Sequence, residues 1–141
     1  MNIYFSCSVT GGRKDQPVYQ AIVEHLQANS HQVPTAELMD VDVLKIEAVI
    51  DPLTVYERDV AWVEQCDVVI AEVSTPSHGV GYEIALALLI GKPVLCCYKS
   101  GCTISKMISG NTMPTLSRVE YHDTQEVLKS IDNFLQAALK A

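Results

Sequence analysis

Glu83 has the most telling setting of any residue in the chain. It lies early in Gly79–Ile90 (GVGYEIALALLI), and every residue from Ile84 to Ile90 is apolar. A helix that is apolar all round is a buried one. A carboxylate carried into it loses water and must find a partner or shift its pKa. Perturbed acids of this kind concentrate where protons are moved or nucleophiles are made. The alternative is a structural glutamate held by an arginine or by backbone N–H groups. Asp59 is the second acid, in Glu57-Arg58-Asp59-Val60-Ala61-Trp62. Val55, Trp62 and Val63 form the apolar stripe of that segment, and from pattern alone Asp59 reads as a solvated acid. Its other reading puts it at the edge of a crevice. Tyr4, between Ile3 and Phe5, reads as core, with a hydroxyl that still needs a partner.

Two loops could hold an anion. Ser74-Thr75-Pro76-Ser77-His78-Gly79-Val80-Gly81 runs small residues into a helix start, where free N–H groups favour negative charge. Ser77 is equally suited to capping that helix. Ser8-Val9-Thr10-Gly11-Gly12-Arg13 is the other loop, with two glycines that let backbone approach a ligand. Neither loop carries G-x-x-x-x-G-K-[ST], and Gly79-x-Gly81 lacks the third glycine of a dinucleotide loop. His25, His31, His78 and His122 have no metal-ligand spacing, and no G-x-S-x-G elbow occurs. Neither a metal nor an organic cofactor is expected.

These residues need a frame. Asn2–Ser8, Asp67–Val73, Lys92–Tyr98 and Ser117–Tyr121 read as strands, with a short one at His31–Thr35. The middle two are almost wholly apolar, as in a sheet covered on both faces. Pro17–Asn29, Pro52–Gln65, Gly79–Ile90 and Asp123–Lys140 read as helices, and Thr103–Ile108 as a short one. Asp123 with Glu126 suggests a capping box. The expected fold is α/β: one domain over residues 1–141, a doubly wound, five-stranded parallel sheet in the flavodoxin-like order 2-1-3-4-5. Ligands of such sheets bind beyond the C-terminal strand ends at the switch point. That rule selects the same two loops, Ser6–Arg13 and Val73–Tyr82.

Composition agrees. The 141 residues are 48% hydrophobic and 19% charged, which suits one folded domain. A net charge of -7 disfavours nucleic-acid polymers and anionic membranes. Five cysteines without a C-x-x-C pair suit a reducing compartment, cytoplasmic or nuclear, and Cys96 and Cys97 should face opposite sides of their strand. No apolar run reaches the ~18 residues of a membrane span, and no signal peptide is expected.

The motifs together resemble the nucleoside 2-deoxyribosyltransferase superfamily. Four stretches carry the likeness: Ile3–Arg13 (IYFSCSVTGGR), Glu57–Trp62 (ERDVAW), Asp67–Val73 continued through Pro76–Glu83 (PSHGVGYE), and Ile104–Ile108 (ISKMI). The resemblance implies that Glu83 is the nucleophile, Asp59 a second catalytic acid and Tyr4 the residue that positions Glu83. It implies a 5'-phosphate cradle of Ser8, Thr10, Gly11, Gly12, Ser77 and Gly79. Ser105 would reach that phosphate from a second subunit of a homodimer. Cys7 stands where the family usually has glycine and Thr10 where it usually has arginine. The implied reaction cleaves the N-glycosidic bond of a deoxynucleotide. Base exchange between nucleosides, hydrolysis of a ribonucleotide such as CMP, and nucleotide binding without turnover are the rival readings.

Overall fold

The computed structural model describes residues 1–9, 13–39, 45 and 48–140. Its elements are β1 (Ile3–Ser6), α1 (Gln16–Ala28), α2 (Pro52–Gln65), β2 (Val68–Glu72), α3 (His78–Leu89), β3 (Val94–Lys99), α4 (Lys106–Ser109), β4 (Leu116–Tyr121) and α5 (Thr124–Ala138). Three-residue and six-residue 3-10 turns cover Arg13–Asp15 and Pro34–Met39. All strand pairings are parallel, in the order β1-β2-β3-β4.

Alternation along the strands sorts the core into two layers. Ile3, Phe5, Val68, Ile70, Leu95 and Cys97 face α1 and α5, against Ile22, Leu26, Val127 and Ile131. Tyr4, Val69, Ala71, Val94 and Cys96 face α2 and α3, against Val63, Ile84 and Leu88. The two neighbouring cysteines therefore do point to opposite faces.

The sheet differs from the expected one. It has four strands among the described residues, not five. His31–Thr35 forms only an isolated parallel bridge, Gln32 to Asn2, on the edge of β1 that β2 leaves open. Pro34 explains the loss: it has no N–H to donate to a ladder, and its fixed φ starts the 3-10 turn instead.

Helix ends follow local chemistry. Asp51 caps α2 by accepting from the N–H groups of Leu53 (3.0 Å) and Thr54 (3.3 Å), with Pro52 in the first turn. Asp123 caps α5 through the Glu126 N–H at 2.9 Å. The reciprocal bond reaches one residue further back than a capping box requires, since Glu126 Oε2 accepts from the His122 N–H at 2.8 Å. The helix α3 departs from its sequence reading more sharply. Val80, Ile84, Ala87 and Leu88 are buried, but Tyr82 and Leu89 are 54% and 81% exposed. Its outer face is apolar and uncovered.

Candidate active site

The strand β1 delivers two residues to one face of the sheet. Tyr4 and Ser6 are two apart on β1, so both point toward α2 and α3. Glu83, in the second turn of α3, meets them there. Ser6 Oγ donates a hydrogen bond to Glu83 Oε2, and the Tyr4 hydroxyl also donates to the Glu83 carboxylate. Burial pushes the Glu83 pKa above the ordinary carboxylate range. The Ser6 and Tyr4 bonds oppose that rise, the Asp59 charge adds to it, and Arg58 opposes it. Tyr4 is pushed well above the usual phenol range, first by burial and then by Glu83 and Asp59. Its proton therefore stays in place as a donor.

The helix α2 brings the second acid. Asp59 and Glu83 line the same two cavities, which lie on either side of the pair. One, of about 120 Å³, is walled by Tyr4, Ser6, Thr35, Leu38 and Arg58. The other, of about 160 Å³, lies between α2 and α3 under the rings of Tyr56 and Tyr82. Asp59 accepts from Arg58 Nε at 2.8 Å. The solvated reading of Asp59 is therefore replaced by the crevice reading.

The anion-holding residues are placed unevenly. Ser77 caps α3 by accepting from the Val80 N–H at 3.4 Å. A Cβ on Gly79 would lie 3.8 Å from Ser77 Oγ and 4.0 Å from Glu83 Oε1. The bare glycine therefore keeps a lane open between the cap and the carboxylate. Ser8 is buried, next to Val9, which lines the smaller cavity. Thr10, Gly11 and Gly12 lie outside the described residues. Ser105 is not in the carboxylate cavities of its own chain. It caps α4 through the Met107 N–H at 3.2 Å and, with Ser77 and His78, lines a groove of about 700 Å³ on the far side of α3.

Sequence reasoning missed Ser6, Arg58 and Thr35. Ser6 had a signal: it stands two residues after Tyr4 on a buried strand. Thr35 had none, because it reaches the site through the turn that replaces the expected strand, where its Oγ1 accepts from the Phe5 N–H at 3.3 Å.

A second carboxylate holds the loop between β2 and α3. Glu72 is fully buried on the opposite face of the sheet. It accepts from Ser74 Oγ, from the Ser74 N–H at 3.3 Å and from the Tyr121 hydroxyl at 2.9 Å. Beside it, Asp15 takes the Thr75 hydroxyl at 2.7 Å and the Lys99 ammonium. Burial would raise the Asp15 pKa, but those two donors outweigh it and hold it below the usual range. Truncation of Glu72 would leave the Tyr121 hydroxyl unpaired in the core and release the two half-buried donors of Ser74. We expect Glu72→Ala to lower stability by about 3–5 kcal/mol in urea unfolding, from the cavity and the unpaired donors together. An unchanged midpoint would show that water replaces the carboxylate.

The family described as nucleoside 2-deoxyribosyltransferase matches residues 3–125. The 5-hydroxymethyl-dUMP N-hydrolase of Rattus norvegicus is 37% identical over 142 residues, covering 98% of this chain and 86% of its own. A protein of Methanococcoides burtonii, named as a 2'-deoxynucleoside 5'-phosphate N-hydrolase, is 37% identical over 117 residues, covering 83% of this chain and 96% of its own. The CMP N-glycosidase of Clostridium botulinum shares the fold, with a TM-score of 0.74 at 18% identity over 95% of this chain and 99% of its own. With the matched stretch running from β1 into α5, and with relatives above one-third identity across most of their length, the chain belongs to the nucleoside 2-deoxyribosyltransferase family.

Proposed function

We propose that the protein hydrolyses the N-glycosidic bond of 2'-deoxynucleoside 5'-monophosphates, giving free base and 2-deoxyribose 5-phosphate. The observation that carries this reading is the carboxylate pair Asp59–Glu83. It sits between two cavities at the C-terminal strand ends, with Glu83 held by Ser6 and Tyr4. The names of relatives 37% identical supply the substrate class.

In this mechanism Glu83 is the nucleophile. Ser6 engages Oε2, and Oε1 lies toward the lane at Gly79. Oε1 attacks C1', the C1'–N bond breaks, and its electron pair leaves with the base, which takes up a proton from Asp59 or from solvent. Water then attacks C1' of the glycosyl ester, gives a proton to the ionised Asp59 or to solvent, and frees the Glu83 carboxylate. The absence of a 2'-hydroxyl eases the first step, because nothing withdraws charge from the oxocarbenium-like transition state. Tyr4 orients Glu83. The phosphate is held by Ser8, Thr10, Gly11, Gly12, Ser77 and Gly79, with the N–H groups that open α3. Neither a metal nor an organic cofactor has a part in these steps.

A homodimer completes the site in this reading, with Ser105 contributed to the phosphate across the interface. The uncovered apolar face of α3 and Met107 at 83% exposure support it. Free thiols suit action in the cytoplasm or nucleus.

The test is chromatography of purified protein with dGMP, dAMP, dCMP, dTMP, GMP, CMP and deoxyguanosine, each with and without a second free base. Free base from the deoxynucleotides alone is the expected result. An exchanged nucleoside would replace hydrolysis by base transfer. Free base from CMP or GMP would make the substrate a ribonucleotide. Tight binding with no product would overturn the enzyme reading.

A further inference from the structure

Arg58 stands next to Asp59 on α2, yet nothing in the proposed mechanism uses it. Its guanidinium does three things at once. Its Nε–H donates to Asp59 Oδ1 at 2.8 Å. Its Cζ lies 4.9 Å from the centroid of the Trp62 ring, one helical turn away. It also lines the 120 Å³ cavity with Tyr4, Asp59 and Glu83. Its side chain is 23% exposed and that of Asp59 20% exposed, so the pair is neither sealed in the core nor a solvated surface bridge.

A carboxylate on a helix side chain has two free torsions. An aspartate at a cavity wall must be held if its oxygens are to meet a small substrate consistently. Arg58 supplies that hold. The indole face fixes the plane of the guanidinium, and the guanidinium fixes one oxygen of Asp59. Trp62 is itself packed against the cluster of Tyr4, Val63 and Ile84, so the clamp is anchored in the same core layer that carries the site.

We propose that Arg58 is a positioning residue of this site: stacked on Trp62, it fixes the Asp59 carboxylate and places a permanent positive charge in the wall of the cavity that Asp59 and Glu83 share. This rests on the proposed roles of Asp59 and Glu83. A lysine would keep the charge but lose both the Nε–H bond and the planar stack.

The charge has a measurable consequence apart from geometry. Among the described residues, Tyr4 and Ser6 from β1, Cys7 just beyond it, and Arg58 and Asp59 from α2 act on Glu83. Arg58 is the cation among them, and it favours the ionised form of Glu83. Turnover needs Glu83 ionised. Removal of the cation should therefore move the acid limb of the kcat–pH profile to higher pH.

The experiment compares Arg58→Met and Arg58→Lys with wild type for deoxynucleotide hydrolysis, measuring kcat, KM, pH profile and Tm. Arg58→Met is expected to lower kcat about 10–100-fold, with the acid limb displaced upward and KM changed much less than kcat. Arg58→Lys is expected to lose part of kcat while the limb stays in place. A wild-type kcat and limb in Arg58→Met would overturn the proposal. So would a kcat loss that follows Tm with no movement of the limb, because that is what a merely structural arginine would give. If Arg58→Met does not fold, a wild-type kcat in Arg58→Lys overturns it. Glu83→Gln, run in parallel, separates the two levels. If it turns over, the site reading itself fails; if it is inactive while Arg58→Met matches wild type, only the role of Arg58 fails.

Discussion

Glu83→Gln is expected to lose at least about 10³-fold in kcat, as removal of a nucleophile does, while the protein remains folded and no less stable at neutral pH. The first half follows from chemistry: an amide oxygen cannot form a glycosyl ester with C1' at a useful rate. The second half follows from the environment. Burial holds the Glu83 pKa above its unfolded value, so in that window the folded state binds a proton more strongly than the unfolded chain. The stability contributed by this group is present below the ordinary carboxylate range and is lost as pH rises through the raised value. At neutral pH the folded protein therefore bears the cost of an ionised, desolvated acid, which a neutral isostere does not. Calorimetry should find the Tm of Glu83→Gln at or above wild type near neutrality, with the difference shrinking as pH falls. A Tm several degrees lower would instead make Glu83 a structural anchor for Ser6 and Tyr4. Wild-type turnover would remove it from the mechanism.

That trade-off was visible in the sequence only in outline. A lone Glu opening an otherwise apolar helix marks a desolvated acid, because no local pattern gives it water. The helix read over Pro52–Gln65 matches α2, and its start is a local matter: Asp51 caps it and Pro52 fits its first turn. Long-range relations were not legible in this way. The link between Ser6 and Glu83 spans 77 residues, and nothing in either stretch encodes the other. The alternation of β1 could have put Ser6 beside Tyr4, but not said what both would meet. Glu72 shows the opposite limit. It lies inside the motif that carries the family likeness, yet its work is on the far face of the sheet, holding the loop through Ser74 and Tyr121. The apolar outer face of α3 illustrates a third limit. Hydrophobic pattern measures what an element must bury in its working state, so an all-round apolar helix does not say whether its cover comes from the same chain.

Asp59→Asn is expected to lower kcat about 10²–10³-fold, the range of general acid–base assistance, and the way it does so decides which step Asp59 serves. Asparagine keeps the shape, and its carbonyl can still accept from Arg58 Nε. It cannot take a proton from water. If Asp59 activates water in the second step, rapid mixing with a deoxynucleotide should give a burst of free base equal to the enzyme concentration, followed by slow turnover. If it assists departure of the base, the burst disappears and the loss falls on the first step, more heavily for poorer leaving bases. Azide, a small nucleophile that needs no base, should restore turnover only in the burst case. The same substitution also tests the electrostatics from the other side. The Asp59 charge raises the Glu83 pKa and Arg58 opposes it. Asp59→Asn leaves the cation unbalanced, so the acid limb should move to lower pH, opposite to the shift expected for Arg58→Met. Two neighbouring residues on one turn of α2 would then displace the ionisation of Glu83 in opposite directions. A general loosening of the site would not give that result, because both substitutions would then move the profile alike or not at all.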